Sequence, residues 1–558
     1  MKLLLLLLLF LPSAYANQDH NLTKMIGRML IVGFEGSDVN KESQIVKDIQ
    51  KYDLGGVILF DKNFHNPKKP KNITSPKQLH TLTTKLKNFA NKPLFISVDQ
   101  EGGRVARLKP AYGFVEIPSA KTVATYTQER VRTIYTKEAK MLQNAGINLN
   151  FAPVLDLAIE PKNSVIYQLE RSYGADPKKV AQIASLLIDA QNKEGIISVA
   201  KHFPGHGSSL SDSHKGFVDI SQTWQPKELE PYKILIKEQK LDAIMTAHVF
   251  NKNLDPIYPA TLSRKINQDL LRDQLGFKGV IISDDMQMKA ITKHYSLKEA
   301  TTDAINAGVD ILLFGNQLAT NTAKEIIDTI YAQVKAGKIP LKRIEEANQR
   351  IQNLHTKQSI IQKPIIFKDE RKMMTKAYIK KHYGVNAKTI HIQPKIIVLH
   401  WTAVMDLQKS FQRLYPQRLL TDRKDIAAAS ALNVSAHYLI DRDGTIYQLM
   451  PDNWMARHVI GLNYFAIGVE NVGGQNNTKE DLTPAQRKAN IALIEYLKAK
   501  YPTIEYLIGH YEYRKMEKNP LWLERDAGYR TKKADPGEKF MKAVRKGVAS
   551  LNLKGADE

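Results

Sequence analysis

From about residue 24 to 356 the chain alternates short apolar runs with longer stretches of helical periodicity. Eight runs have strand length: residues 29–34, 56–60, 94–99, 149–156, 197–202, 243–249, 280–284 and 311–314. Between them, segments such as Val180-Ala181-Gln182-Ile183-Ala184-Ser185-Leu186-Leu187-Ile188 repeat apolar positions at three and four, the period of a helix with one buried face. Strands that alternate with helices imply parallel pairing, because a parallel partner needs a crossover. Eight such repeats imply closure into an α/β fold of the (β/α)8 TIM barrel kind. Five polar residues, Asp99, Asp156, His202, His248 and Asp284, fall at or just past the C-terminal ends of the predicted strands, the rim on which barrel enzymes carry their chemistry.

The pattern breaks after residue 356. Residues 357–393 read as a basic, irregular linker that includes Phe367-Lys368-Asp369-Glu370-Arg371-Lys372. A second unit, residues 394–558, has buried-looking strands at 396–399, 437–440 and 466–470, a hairpin signal at Asp443-Gly444, and helical stretches at 484–498 and 536–550. This is the pattern of a smaller α/β domain with a mixed sheet. A length of 558 residues agrees, since one hydrophobic core stops growing near ~250–300 residues.

Composition adds the compartment. Met1-Lys2, an apolar run over 3–11, Pro12 and then Ala14-Tyr15-Ala16 form a signal-peptide pattern, with cleavage expected after Ala16. The run is well short of the ~20 residues that span a bilayer, so export to the periplasm without a stable membrane anchor is expected. The 17–356 barrel then follows. There is no cysteine, hence no disulfide and no lipid-attachment thiol. The formal charge of +24 favours acidic partners; export argues against nucleic acid, and carboxylate-bearing cell-wall peptides fit instead.

Three barrel segments carry chemistry: Val98-Asp99-Gln100-Glu101-Gly102-Gly103-Arg104-Val105, Lys201-His202-Phe203-Pro204-Gly205-His206-Gly207 with Asp212-Ser213-His214, and Ile282-Ser283-Asp284-Asp285-Met286. Retaining glycoside hydrolysis needs a carboxylate on one side of the anomeric carbon and a proton donor on the other. Asp284 can be the nucleophile, with Asp285 as the alternative register. His214, oriented by Asp212, can be the acid/base, with His206 as the alternative. Asp99 and Arg107 can bracket sugar hydroxyls.

These segments resemble the β-N-acetylglucosaminidases of glycoside hydrolase family three that act in cell-wall recycling, a likeness covering residues 24–356. The resemblance implies that Asp284 is the nucleophile, that Asp212 and His214 are the acid/base pair, and that Asp99, Arg107, Arg171, Lys201 and His202 surround the N-acetylglucosamine. It implies no metal or other cofactor for the barrel.

In the second unit His400, His510 and Asp535 are candidate ligands of a catalytic metal, and Glu470 is a candidate base, because such sites pair three protein ligands with a nearby carboxylate. The motifs Leu399-His400-Trp401-Thr402, Ser435-Ala436-His437-Tyr438, Gly468-Val469-Glu470, Gly509-His510 and Lys533-Ala534-Asp535-Pro536-Gly537 resemble the zinc-dependent type-2 N-acetylmuramoyl-L-alanine amidases. The resemblance covers 394–550 and implies Zn2+ on His400, His510 and Asp535, Glu470 as base and Lys533 as oxyanion stabiliser. The chain departs from the family at Ala456-Arg457-His458-Val459-Ile460-Gly461, where Trp-His-Ala-Gly is frequent, so the loop facing the sugar is expected to differ.

Together these expectations describe a bifunctional peptidoglycan hydrolase acting on peptidoglycan or muropeptide fragments. Two alternatives stand beside it: a glucosaminidase with a non-catalytic wall-binding second domain, and a phosphorylase.

Overall fold

The computed structural model describes residues 11–212 and 216–558; most of the expected export segment's apolar run lies outside them, and so does His214. Two compact units form, Met1–His355 and Thr356–Glu558. Among the described residues no helix is long and apolar enough to cross a membrane.

In the first unit β1 (Leu30–Gly33), β2 (Gly56–Ile58), β3 (Phe95–Val98), β4 (Leu149–Asn150), β5 (Ile197–Phe203), β6 (Ala243–Thr246), β7 (Val280–Asp285) and β8 (Ile311–Phe314) close into a barrel in sequence order. Every pairing is parallel, and the seam is made by Leu30 against Leu312 and Val32 against Phe314. The strands are apolar on both faces because one face fills the interior and the other meets the helical ring. The helix Pro177–Lys193 shows the outer layer: Pro177 stands at its first turn, Asp176 caps it by accepting from the Lys178 N–H, and Val180, Ala184 and Leu187 are buried.

The fourth strand differs from expectation. Only Leu149 and Asn150 pair, and the path to Asp156 is irregular. Pro153 has no N–H for a ladder, and an isolated bridge resumes at Val154 with Lys201. Asp156 therefore reaches the rim on a loop.

The second unit holds a six-stranded sheet in the order β14-β10-β13-β11-β12-β9, built from β9 (Ile360–Gln362), β10 (Ile396–Trp401), β11 (Tyr438–Ile440), β12 (Ile446–Gln448), β13 (Ala466–Asn471) and β14 (Tyr506–Gly509). The hairpin falls where expected, with β11 and β12 antiparallel and Gly444 at φ +91° in the turn. The central strands are parallel and buried on both faces. Ile397, Leu399 and Leu507 pack with Leu493 and Leu497 of the helix Pro484–Lys500, while Ile396, Val398 and Ile508 pack with Tyr378, Ile379 and Tyr383.

Those last three residues correct the expected linker. Residues 357–393 contain β9, the helix Asp369–Tyr378 and the π-helical turn Ile379–Tyr383, which cover one face of the sheet. The charge run looks solvated in sequence because its key member donates inward. Arg371 is fully buried, and its guanidinium donates to the carbonyls of Ile366, Leu414 and Val434. His382 is pinned between the Glu524 carboxylate at 2.9 Å and the Ala429 carbonyl at 3.1 Å.

A fragment starting at Thr356 should therefore unfold cooperatively on its own. One starting at Pro394 should be insoluble or show no cooperative melting, since it exposes Ile396, Val398 and Ile508. Equal melting of the two fragments by circular dichroism would show that 357–393 is a tether.

Candidate active sites

The barrel rim is built by short motifs whose residues each have a mechanical task. Gln100 clamps its own loop: its side-chain oxygen accepts the N–H groups of Arg107 and Leu108, each at 3.0 Å, while its backbone is held by Asn150. Gly102 and Gly103, at φ +92° and +57°, allow the turn, and a Cβ on Gly102 would lie 2.3 Å from the Pro118 carbonyl oxygen. The result aims Asp99, Glu101 and Arg107 at one place.

There a cation–carboxylate chain forms. Lys201 Nζ lies 2.7 Å from Asp99 Oδ1 and 2.7 Å from Glu101 Oε1. Arg171 makes a two-pronged bond to Glu101, 2.8 Å on each prong, and Arg107 lies 3.6 Å from Asp99. Burial alone would lower the Lys201 pKa, but the Asp99 and Glu101 charges outweigh it and hold it above the ordinary value. For Glu101 burial works upward, and Arg171 with Lys201 override it, keeping the carboxylate far below its usual range.

The second motif is anchored by Asp156, buried to 1% exposure. Its carboxylate lies 2.6 Å from His202 Nδ1 and accepts the His206 N–H at 2.8 Å. His202 Nε2 faces Arg171 at 3.4 Å. Below the loop, Glu228 accepts the Gly207 N–H at 3.0 Å and burial pushes its pKa up to about 7. His206 contacts Ser209 Oγ at 2.7 Å and is driven down to about 4 by burial, with His202 adding to the effect. Such an imidazole is neutral near pH 7.

Asp284 lies in β7, and its Oδ1 accepts the following backbone N–H at 2.8 Å. The Asp285 carboxylate shapes the turn by accepting from the Gln287 and Gly315 N–H groups. Asp284, Asp212, Asp99, Arg107, Arg171, Lys201 and His202 all line one cleft of about 570 Å3. The structure thus brings together every described residue expected around the sugar. Glu101, Asp156 and Glu228 were not foreseen as supports; Glu101 sits inside the motif, two residues from Asp99, and Asp156 was already a rim residue.

In the second unit the sheet register makes the site. His400 stands opposite Glu470 across β10 and β13, and Leu399 stands opposite Gly509, so His510 follows at the same end of β14. Asp535 joins because its carbonyl accepts the Tyr511 N–H at 2.9 Å. His400 Nδ1, His510 Nδ1 and Asp535 Oδ2 then form a triangle with sides of 3.0, 3.2 and 2.9 Å.

These residues fit a zinc ion. A tetrahedral ion with bonds of ~2.0–2.1 Å holds its ligands roughly 3.3 Å apart, close to the observed triangle. Burial lowers His510 to about 4, leaving a neutral imidazole with a lone pair to give. Burial would raise Asp535, but His510 and His400 hold it far below the usual range, so it is anionic. Glu470 is half-buried beside this set, and its buried Oε2 has no hydrogen-bond partner among the described residues. Burial pushes its pKa up to about 7, against the opposing pull of His400. Lys533 and Arg423 lie in the small cavity next to His510.

The expected difference at the 456–461 loop takes a specific form. Arg457 is buried and donates to the Ser430 and Ile426 carbonyls and to Tyr529, so it holds the loop from within. His458 turns toward His400.

The fold and rim define a barrel enzyme with acid–base side chains, joined to an α/β unit in which His400, His510 and Asp535 could hold a metal ion. Comparison with known proteins agrees. The family model for the glycosyl hydrolase family 3 N terminal domain matches residues 21–354, and that for N-acetylmuramoyl-L-alanine amidase matches residues 379–538. A β-hexosaminidase of Tolumonas auensis is 38% identical over 297 residues, covering 52% of this chain and 83% of the relative. One from Haemophilus influenzae is 34% identical over 296 residues, covering 52% and 79%. The crystal structure of a β-N-acetylhexosaminidase from Beutenbergia cavernae aligns with a TM-score of 0.54 and 26% identity over 60% of this chain and 98% of that one. The chain belongs to glycosyl hydrolase family 3, and its second unit is an amidase-family domain.

Lys201→Met should remove the cation shared by Asp99 and Glu101, leaving Arg107 and Arg171 as their remaining partners, and lower the barrel's unfolding free energy by about 3 kcal/mol in denaturant melts. A loss below about 1 kcal/mol would show that the cluster is not held by Lys201.

Proposed function

We propose that the chain is a bifunctional peptidoglycan hydrolase: a retaining exo-β-N-acetylglucosaminidase that removes terminal N-acetylglucosamine from muropeptides, and a zinc amidase that cuts the bond between the muramic lactyl group and L-alanine. The observation that carries the first half is the one cleft lined by Asp284, Asp212, Asp99, Lys201 and Arg171, with Glu101 pairing Lys201 and Arg171 behind it. It is supported by membership of family 3 and by the β-hexosaminidase relatives. The second half rests on the His400–His510–Asp535 triangle beside Glu470.

In the barrel, the Asp284 carboxylate attacks the anomeric carbon as the bond to the leaving oxygen breaks, and His214 gives that oxygen its proton. Water then attacks the glycosyl–Asp284 ester while the same imidazole takes the water's proton, which restores both groups. His214 lies outside the described residues, so its role rests on the Asp212-Ser213-His214 spacing. His206 is the poorer acid because its imidazole is neutral at pH 7. Asp285 is the poorer nucleophile because its Oδ1 is engaged by the backbone N–H groups of Gln287 in the following turn and of Gly315 after β8.

In the second unit a bound zinc ion would polarise the scissile carbonyl and acidify water. Glu470 takes the proton of the attacking water and passes it to the leaving amine, and Lys533 stabilises the developing oxyanion. The basic chain, at +24, suits stem peptides bearing several carboxylates. The segment 1–16 supports export to the periplasm, where such fragments arise.

Digestion of a defined disaccharide-peptide, read by mass, tests both halves. Asp284→Ala should lose sugar release alone and Glu470→Ala peptide release alone, each by at least a thousandfold; loss of both activities in either variant would overturn the two-site reading. Release should also be unchanged by added phosphate, since a glycosyl phosphate product would make the barrel a phosphorylase. The base must be ionised, and burial raises Glu470 to about 7 while a bound cation draws it lower. Peptide release should therefore climb with pH and level off at or below about pH 7.

A further inference from the structure

We infer that His458 is a positioning residue of the metal cradle: it accepts the Nε2 proton of His400 and thereby keeps the Nδ1 lone pair of His400 directed into the His400–His510–Asp535 triangle. The inference rests on the reading that this triangle holds a metal ion.

The direction of the relay follows from its far end. His458 Nε2 lies 3.3 Å from the Ala466 carbonyl oxygen, which only accepts, so that nitrogen carries a proton. Its other nitrogen, Nδ1, lies 3.0 Å from His400 Nε2. A lone pair on Nδ1 of His458 requires His400 to donate from Nε2. That assignment leaves Nδ1 of His400 unprotonated, and Nδ1 is the atom 3.0 Å from His510 Nδ1 and 3.2 Å from Asp535 Oδ2. The opposite tautomer of His400 would put a proton inside the triangle, where a cation must sit.

The ring of His458 is held for this task. Asn463 Oδ1 accepts the N–H groups of both His458 and Val459 at 2.8 Å, and Asn463 is itself bound by the Tyr383 hydroxyl at 2.9 Å. Arg457 donates its N–H to Ser435 at 3.1 Å. The ring lies against Gly468 of β13, where a Cβ would approach its Cγ to 2.7 Å. It crosses His400 nearly at right angles, 85° at 5.1 Å. His437 completes the support from below: it accepts the Gly468 N–H at 2.9 Å and donates to the Trp454 carbonyl at 2.7 Å, fixing the strand that carries Glu470 two residues later. Partners that orient a ligand imidazole in this way typically change metal affinity ten- to a hundredfold.

The test is zinc affinity of the full-length protein by competition with a chromophoric chelator, for wild type, His458→Ala and His458→Asn. Asn is included because its side-chain oxygen can stand near the Nδ1 position and accept the same proton. His458→Ala should raise the zinc Kd ten- to a hundredfold, with barrel sugar release unchanged. His458→Asn should recover most of the affinity. Should His458→Ala match wild type within threefold, or should both variants weaken zinc equally, the acceptor role is wrong. Absence of zinc binding by wild type would instead sink the metal-centre reading itself. A melting temperature of His458→Ala that matches wild type in excess chelator is expected, and a fall there would assign the lost affinity to folding and overturn the orienting role.

Discussion

Parallel strand pairing is the constraint on which both sites depend. Strands that run the same way end on the same side, so the residues at their C-terminal ends are delivered to one surface. In the barrel that surface is the rim carrying Asp99, His202 and Asp284. In the second unit the register of β14, β10 and β13 sets His510, His400 and Glu470 side by side, although they are 110 and 70 residues apart. The hydrophobic bodies of these strands, buried on both faces, fix the register, and the register fixes the chemistry.

On those scaffolds the two units solve the problem of buried charge differently. The barrel neutralises within itself: Asp99, Lys201, Glu101 and Arg171 alternate in sign, so the cleft presents polar groups already paired and held. The second unit leaves an imbalance. His400, His510 and Asp535 converge with their donor atoms about 3 Å apart, and the buried Oε2 of Glu470 has no hydrogen-bond partner among the described residues. A cation held by His400, His510 and Asp535 would balance that arrangement, with the Glu470 carboxylate beside it.

Much of this was legible in the chain itself. The eight barrel strands are short apolar runs between helical repeats, and a closed α/β barrel follows from their count. The sugar-site residues fall at strand ends or in compact motifs, where spacing carries information. What stayed hidden depends on contacts between distant segments. Arg371 looks like one more charge in a basic run, because nothing local shows that three carbonyls receive its guanidinium. His458 lies 58 residues from His400, in a loop that looked like a departure from the family pattern, and only its ring's place against β13 gives it meaning. The fourth strand is shorter than its apolar run, because pairing stops at Asn150 although the run continues, and Pro153 beyond it has no N–H to give a ladder.

The claim that strand-end placement selects Asp284 as the attacking group is the one most directly open to measurement. A fluorinated N-acetylglucosaminyl fluoride that forms its enzyme ester quickly and loses it slowly should leave one sugar on the protein. Peptide mapping should locate that mass on Asp284. A sugar found on Asp285, on any other residue, or an intact protein with no adduct despite fluoride release, would contradict the account.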